Sequence, residues 1–445
     1  MKLACLSLAL VLPSPGTPLL EAIRKGDRKS LETLIASGES PSKPNRYGVT
    51  PLGVACANGD SEMTGLLLKQ GAEPSPSAGD PLLIIASKTG STECIQLLLE
   101  HDCDPNESGA GRQTPLMWAS SQGHVEVVDQ LLKAGADPKR QLASGFDALF
   151  FAVRAGRNEV VARLLEEDLD INDARKPKNA HRKAIRPGTS ALLLAIENGH
   201  FELALDLVKR GADPNDIRSG FTPLHAISWV RKTVRGDSAE GIPIPRGSGH
   251  VMSLELVEKL AELGADPNAR ASRGNGGGGN LKTKGATPFF MACWTGDLPL
   301  MKALLKAGAD PTLGNADGSS PLLAACGLGV PAPGEEPSSE DDAIAAASLL
   351  LELGADINEI DKRGETVMHC AAYKSSPGLI RFLDKNGADI SHWNRKNKSG
   401  WTPLLIAQGF RPGNFRPIGY TIDALSEVMK AHGVTPPPSP PAPGP

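Results

Sequence analysis

The phrase Thr-Pro-Leu-x-x-Ala, intact or in a close variant, returns along the chain at Thr17, Thr50, Asp80, Thr114, Asp147, Ser190, Thr222, Thr287, Ser320, Thr366 and Thr402. Neighbouring starts are 33, 30, 34, 33, 43, 32, 65, 33, 46 and 36 residues apart, so a base period of about 33 is interrupted by a few insertions. A chain of this kind stacks small units on one another instead of folding around one core. Its 445 residues therefore do not imply two or three globular domains. One continuous solenoid of about eleven repeats is expected over residues 17–433.

A second mark runs in phase with the first: Gly71, Gly135, Gly211, Gly264, Gly308, Gly354 and Gly387 each open a Gly-Ala-Asp-Pro phrase or a close variant. The first mark reads as a helix start, because Thr supplies a capping oxygen and Pro at the next position gives up only an N–H that would be orphaned there. The second reads as a helix stop, with Gly taking the left-handed conformation and Asp-Pro or Asp-Ile leading into a turn. The copy from Thr114 shows the whole unit. Pro115, Leu116 and Ala119 begin one short helix, Gln122, Gly123 and His124 break it, and Val125, Val127, Val128, Leu131 and Leu132 line a second before Gly135. Neither helix can bury its apolar face alone, so each repeat must lean on its neighbours.

With both marks in one frame, nearly the whole chain resembles the ankyrin-repeat family. The resemblance implies an all-α repeat solenoid of helix-turn-helix units with β-hairpin fingers, whose fingers and inner helices form a concave protein-binding face. It also implies that His225 and His369, fourth in their phrases, hydrogen-bond the turn of the adjacent repeat. His124 and His200, at the starts of second helices, are structural by the same resemblance.

Aromatic residues make up only 4% of the chain, which suits cores of Leu, Ala, Val and Ile between close-packed short helices. Cys56, Cys293 and Cys326 share the slot after the inner-helix Ala and read as small core filler, as free cysteines often are. With Cys5, Cys94, Cys103 and Cys370 they offer no Cys-x-x-Cys spacing, and no His-Glu-x-x-His run exists, so no metal or cofactor is expected. Residues 1–16, one Lys followed by the apolar run Leu3 to Leu12, read as a short secretory signal peptide or as an apolar cap over the first repeat. Export to a periplasmic or extracellular location is the expectation, with the cytoplasm as the alternative. Residues 434–445 form a proline-rich tail that cannot pack a core. No stretch beyond the N-terminus is long and apolar enough to span a bilayer.

The insertions mark where function sits, because a solenoid accepts extra residues only at exposed edges. Three lengthen the connections between paired helices: Trp229 to Val251, Leu328 to Asp341, and Gly409 to Tyr420. The first mixes Arg231, Lys232 and Arg235 with Asp237 and Glu240, and the second, over Pro331 to Asp342, is proline-rich and acidic through Glu335, Glu336, Glu340, Asp341 and Asp342, opposite signs that would favour a mutual contact. Three others lengthen fingers, at residues 172–188, 269–286 and 391–400. These hold Arg175, Lys176, Lys178, Arg182, Lys183 and Arg186; Arg270, Arg273, Lys282 and Lys284; and Arg395, Lys396 and Lys398. Asp173 is the one acid among them, so 13 basic residues stand against 1 acidic, while the rest of the chain holds 34 against 50. An acidic body thus presents basic fingers, a field that steers an anionic partner toward that edge; solubility of exposed tips is the competing explanation. The run Gly276 to Gly279 lacks the strand and helix context of a phosphate loop. Trp393 is a candidate stacking residue for a ligand or for the next repeat.

These features point to a non-catalytic, monomeric scaffold that binds a protein partner with an acidic surface through the concave face and basic fingers. Binding of an anionic polymer, nucleic acid or acidic glycan, is the alternative, although the acidic body and the lack of a nucleic-acid motif argue against nucleic acid. No insertion joins a base, a nucleophile and an orienting group, so catalysis is not expected. The long fingers and the phrase from Trp393 through Trp401 to Leu404 also resemble a group of bacterial ankyrin proteins that often carry signal peptides.

Overall fold

The computed structural model describes residues 17–178, 185–232, 245–274, 281–330, 332, 337–411 and 416–438. The segment read as a signal peptide, the end of the proline-rich tail, the glycine run 276–279, and Arg182, Lys183, Arg235, Glu335 and Glu336 lie outside the described residues. The chain divides into two compact units, residues 1–186 and 187–445.

In the first unit five helix pairs follow one another: α1 (Pro18–Lys25) with α2 (Arg28–Ala36), α3 (Pro51–Asn58) with α4 (Ser61–Lys69), α5 (Leu82–Thr89) with α6 (Thr92–Leu99), α7 (Pro115–Gln122) with α8 (Val125–Lys133), and α9 (Ala148–Arg154) with α10 (Asn158–Leu164). The second unit holds α11 (Ala191–Glu197) with α12 (Phe201–Lys209), α13 (Pro223–Arg231) with α14 (Ser253–Glu262), α15 (Pro288–Trp294) with α16 (Leu298–Lys306), α17 (Pro321–Ala325) with α18 (Glu340–Glu352) and α19 (Val367–Lys374) with α20 (Pro377–Lys385). The short α21 (Ile390–Trp393) then precedes the last pair, α22 (Pro403–Ala407) with α23 (Gly419–Ala431). Within each unit the first helices of successive pairs pack on one another, and so do most of the second helices, giving two layers of short helices. The all-α repeat architecture is as the sequence implies.

The caps are those read from the phrases. Thr50 Oγ1 accepts the Gly53 N–H at 3.1 Å, Thr287 Oγ1 accepts Phe290 N–H at 3.1 Å, and Asp147 Oδ1 accepts Phe150 N–H at 2.9 Å. The third copy shifts by one residue: Pro81, not Asp80, is the N-cap of α5, and Asp80 instead pairs with Lys88 at 2.9 Å. At the helix stops Gly71 has φ +81°, and the Ala72 N–H returns to the Leu67 carbonyl at 2.9 Å while Gly71 N–H reaches Leu68 at 3.0 Å. That is the Schellman pattern, and it explains why Ala follows Gly: Ala72 is buried against the helix it closes.

Asparagines in the next turn join successive repeats. Asn106 donates to the Gly135 carbonyl at 2.9 Å and accepts from the Asp137 N–H at 2.8 Å. Asn215 does the same with Gly264 and Asp266, Asn268 with Gly308 and Asp310, and Asn358 with Gly387 and Asp389. Each link satisfies one backbone donor and one acceptor at a helix end, where the helix itself leaves them open.

The fingers are tight turns. Four of them close with the same pair of backbone bonds: Asn45 N–H to Val49 O at 3.0 Å and Gly48 N–H to Asn45 O at 2.9 Å, and likewise Asn315 with Ser319, Asp361 with Glu365, and Asn397 with Trp401. The turn-opening Asx side chain accepts two further N–H groups, as Asn45 Oδ1 does from Tyr47 at 2.9 Å and Val49 at 3.0 Å. With so few residues between helices no ladder can grow, and among the described residues the only bridge outside helices is Ser77 to Asp80.

Candidate interaction surface

Three places on this frame hold the residues that the sequence singles out: the fingers, the exposed face of the inner helices, and the edge carrying the helix connections. Lys176, Lys178 and Arg186 of the first finger are exposed, as are Arg270, Arg273, Lys282 and Lys284 of the second and Arg395, Lys396 and Lys398 of the third. Some of these already have work inside the frame. Arg270 Nη1 donates to the carbonyls of Gly285 at 3.0 Å and Gly314 at 2.8 Å, and Lys282 Nζ lies 3.3 Å from Asp317 Oδ1.

Two members of the expected set belong to the interior. Arg175 is only 4% exposed; its guanidinium pairs with Asp147 and with Asp173 Oδ2 at 2.6 Å and lies 4.0 Å from the centre of the Phe150 ring. Because Asp147 also caps α9, Arg175 fastens the first finger to that helix. Burial pushes the Asp147 carboxyl up from its ordinary value, and Arg175 opposes that shift. Trp393 is 2% exposed, with its Nε1 donating to the Ala388 carbonyl at 3.3 Å. It packs the start of the third finger and is not available for stacking.

The inner helices of the first unit expose one row of side chains. Counting each cap as position one, position five is Val54, Ile85, Trp118 and Phe151, all half-buried, with the exposed Glu21 at the start of the row on the first repeat. Two cations flank it. Lys88 Nζ sits 4.4 Å from the centre of the Trp118 ring, and the Arg154 guanidinium 5.5 Å from Phe146, whose ring is 5.1 Å from Phe151. The same position in the second unit is Leu194, Ala226, Met291, Ala324, Cys370 and Ile406, all buried. There two insertions also meet: Leu281 of the second finger lies directly against the backbone of Gly329, in the connection after α17, and Leu281, Leu328 and Val330 are all buried.

At the connection edge the opposite charges do meet. Lys232 Nζ is 2.8 Å from Asp342 Oδ2, and Arg231 grips Asp297 through Nε at 2.7 Å and Nη2 at 3.1 Å. Glu340 Oε1 accepts the Gly378 N–H at 2.6 Å at the start of α20. This network ties repeats together.

The histidines are structural in detail. His225 Nδ1 is 2.7 Å from Thr222 Oγ1 and its Nε2 is 2.9 Å from the Ala286 carbonyl, just before the next cap; burial pushes its pKa down to about 4. His369 repeats this with Thr366 at 2.8 Å and the Arg395 and Trp401 carbonyls at 3.0 and 3.2 Å, also near 4 through burial. Cys56, Cys94, Cys293, Cys326 and Cys370 are buried free thiols. Among the described residues no group of three or more His, Cys, Asp or Glu could hold a metal, and no helix is long and apolar enough to cross a membrane.

A family model described as ankyrin repeats in three copies matches residues 76–142 and 338–414, and a single ankyrin-repeat model matches 47–80, 188–218 and 284–316. The chain belongs to the ankyrin-repeat family. Among curated relatives, the "Ankyrin repeat, SAM and basic leucine zipper domain-containing protein 1" of Eulemur macaco macaco is 36% identical over 117 residues, 24% of each chain. The Oryctolagus cuniculus protein of the same name is 34% identical over 105 residues, 22% of each chain. The ankyrin-repeat chain thus spans about a quarter of the relatives it matches. The crystal structure of the human ASB11 ankyrin repeat domain aligns with 59% of the chain at 22% identity and a TM-score of 0.44.

Proposed function

We propose that this ankyrin-repeat protein is a non-catalytic scaffold that docks a protein partner on the inner-helix face of its first unit, with the exposed first-finger cations Lys176 and Lys178 steering an acidic partner onto it. The observation that carries this reading is the half-open row Val54, Ile85, Trp118 and Phe151, flanked by Lys88 and Arg154. Partly exposed aromatic and aliphatic side chains with cations at their margin are what protein interfaces use as anchors, and a rim of one charge mainly raises the association rate. The partner implied carries apolar anchors among carboxylates.

The test is recovery of a partner from an extract of the source cells by the intact chain, by Trp118→Ala, and by Lys176→Glu with Lys178→Glu. The reading expects a discrete protein, lost with Trp118→Ala at any salt and weakened by the charge reversal mainly at low salt. Recovery of nucleic acid or acidic glycan, released by salt, would instead support polymer binding. A partner retained by every variant would refute the assignment of this face.

A further inference from the structure

Glu365 is a carboxylate in a buried slot. It directly precedes the cap Thr366, where other repeats carry apolar residues (Val49, Phe146, Phe221, Ala286, Trp401) or small or neutral polar ones (Gln113, Thr189, Ser319), and it is 2% exposed. Its Oε1 accepts Asn397 Nδ2 at 3.0 Å and the Tyr373 hydroxyl at 3.4 Å, and its Oε2 is buried with no partner at all. Asn397 in turn builds the third finger. Its Oδ1 accepts the N–H groups of Ser399 and Trp401, both at 3.0 Å, its own N–H closes on Trp401 O at 2.9 Å, and its Nδ2 is also 3.2 Å from the Tyr373 hydroxyl. One side chain thus carries the finger turn on one end and the buried carboxyl on the other. The Lys398 N–H adds a single bond to the Arg363 carbonyl, at 2.9 Å.

We propose that Glu365 is a proton-controlled latch for the third finger: with a neutral carboxyl it stays buried, clamps Asn397 and holds Lys396 and Lys398 in place, and once it loses its proton the cost of a buried charge drives the carboxylate out to water, which breaks the clamp and frays the finger.

Burial favours the neutral carboxyl here, against the bonds from Asn397 and Tyr373, which favour the charge. A buried charge needs several donors, and here one oxygen has none. The titratable and charged groups facing Glu365 do not supply them. On its own finger Asp361 disfavours the charge and Arg363 partly favours it; from α19, Cys370 and Tyr373 present neutral groups; Arg411, beyond α22, gives its Nη1 to the Tyr373 carbonyl at 2.7 Å. Burial therefore pushes the Glu365 carboxyl up to about 7, into the range where ordinary pH changes titrate it. Freed in the frayed finger, the same carboxyl would titrate near the usual value of about 4.3. The sign follows: the frayed state holds fewer protons than the clamped state across this interval, so raising the pH favours fraying. Release breaks the bonds of Asn397 to Glu365 and to the Tyr373 hydroxyl, while the packing of the helix pairs does not pass through Asn397. The latch does not rest on the docking face proposed for the first unit.

Amide hydrogen exchange of residues 395–401 in the full chain, corrected for intrinsic exchange, tests it at pH 6 and pH 8.5. Protection should fall about tenfold at the higher pH, while the finger at residues 45–49, which has Val49 in the corresponding slot, stays unchanged. In Glu365→Gln the neutral amide keeps the acceptor for Asn397, so protection should be equal at the two pH values. Asn397→Ala should lose protection at both. Should Glu365→Gln fail to fold, Glu365→Val, the residue natural to this slot at position 49, takes its place and should likewise be flat with pH. A wild-type finger whose protection does not change with pH, or a Gln or Val variant that keeps the change, overturns the latch; neither result bears on whether the first unit binds a partner.

Discussion

The inner helices of residues 17–186 and of residues 187–445 follow one plan and end in different surfaces. In the first unit position five carries Val54, Ile85, Trp118 and Phe151, half-buried and reachable; in the second it carries Leu194, Ala226, Met291, Ala324, Cys370 and Ile406, all covered. In the second, three of the six residues are Ala or Cys, and two insertions pack on each other, Leu281 against Gly329, with Leu281, Leu328 and Val330 all buried. An insertion in a repeat array is therefore not always a binding loop, since it can also pack into the frame.

The largest expected effect separates finger cations that look alike in sequence. Arg175→Glu should destabilise the first unit by about 3–5 kcal/mol, the cost of breaking a buried ion pair and leaving its partners unpaired. Denaturant unfolding checks it, and a change below about 1 kcal/mol would show that Arg175 is only a finger charge. Next is Gly329→Val, which puts a side chain where the Leu281 backbone lies and at φ +74°. It should cost the second unit about 2–4 kcal/mol by strain and overpacking, and should make Met291 oxidisable if the Leu281 contact is what closes that face.

Acid should also tell the two units apart. His225 and His369, both in the second unit, are held near 4 by burial, below the usual value of about 6.5. The unfolded chain then binds more protons between those values, so their contribution is present above pH 6.5 and is lost as the pH falls toward 4. Glu359 and Glu365, raised to about 7 by burial, act in the opposite sense over the same range. Replacing both by Gln should therefore steepen the acid-induced loss of protection in residues 187–438, read by hydrogen exchange; an unchanged slope would contradict the assignment. The smallest effect belongs to Lys178→Glu, within about 0.5 kcal/mol on stability because the side chain is exposed.

Much of the fold was written in the sequence, because helix starts and stops are local chemistry. Thr50, Thr287 and Asp147 cap as their phrases suggest, and Gly71 stops its helix with φ +81°. Asp80 was misleading because Pro81 can open a helix without a side-chain cap. The linking asparagines Asn106, Asn215, Asn268 and Asn358 had a signal, an Asn two residues after the Asp of the helix stop, which becomes meaningful only once the next repeat is set beside it. The basic fingers were legible as a charge count and not as positions: nothing local distinguishes Arg175, drawn inward by Asp147 and Phe150, from exposed Lys176. The open row stands at a fixed place in every phrase, yet the phrase does not say whether that place is half-buried, as at Trp118, or buried, as at Met291.

Hydroxyl-radical footprinting of Trp118, Phe151 and Met291, with and without the recovered partner, tests the central claim most directly. The account predicts that Trp118 and Phe151 are labelled in the free protein and protected in the complex, while Met291, a readily oxidised side chain when exposed, stays unlabelled in both. Labelling of Met291 as fast as Trp118, or a complex in which Trp118 is labelled as in the free chain, would contradict it.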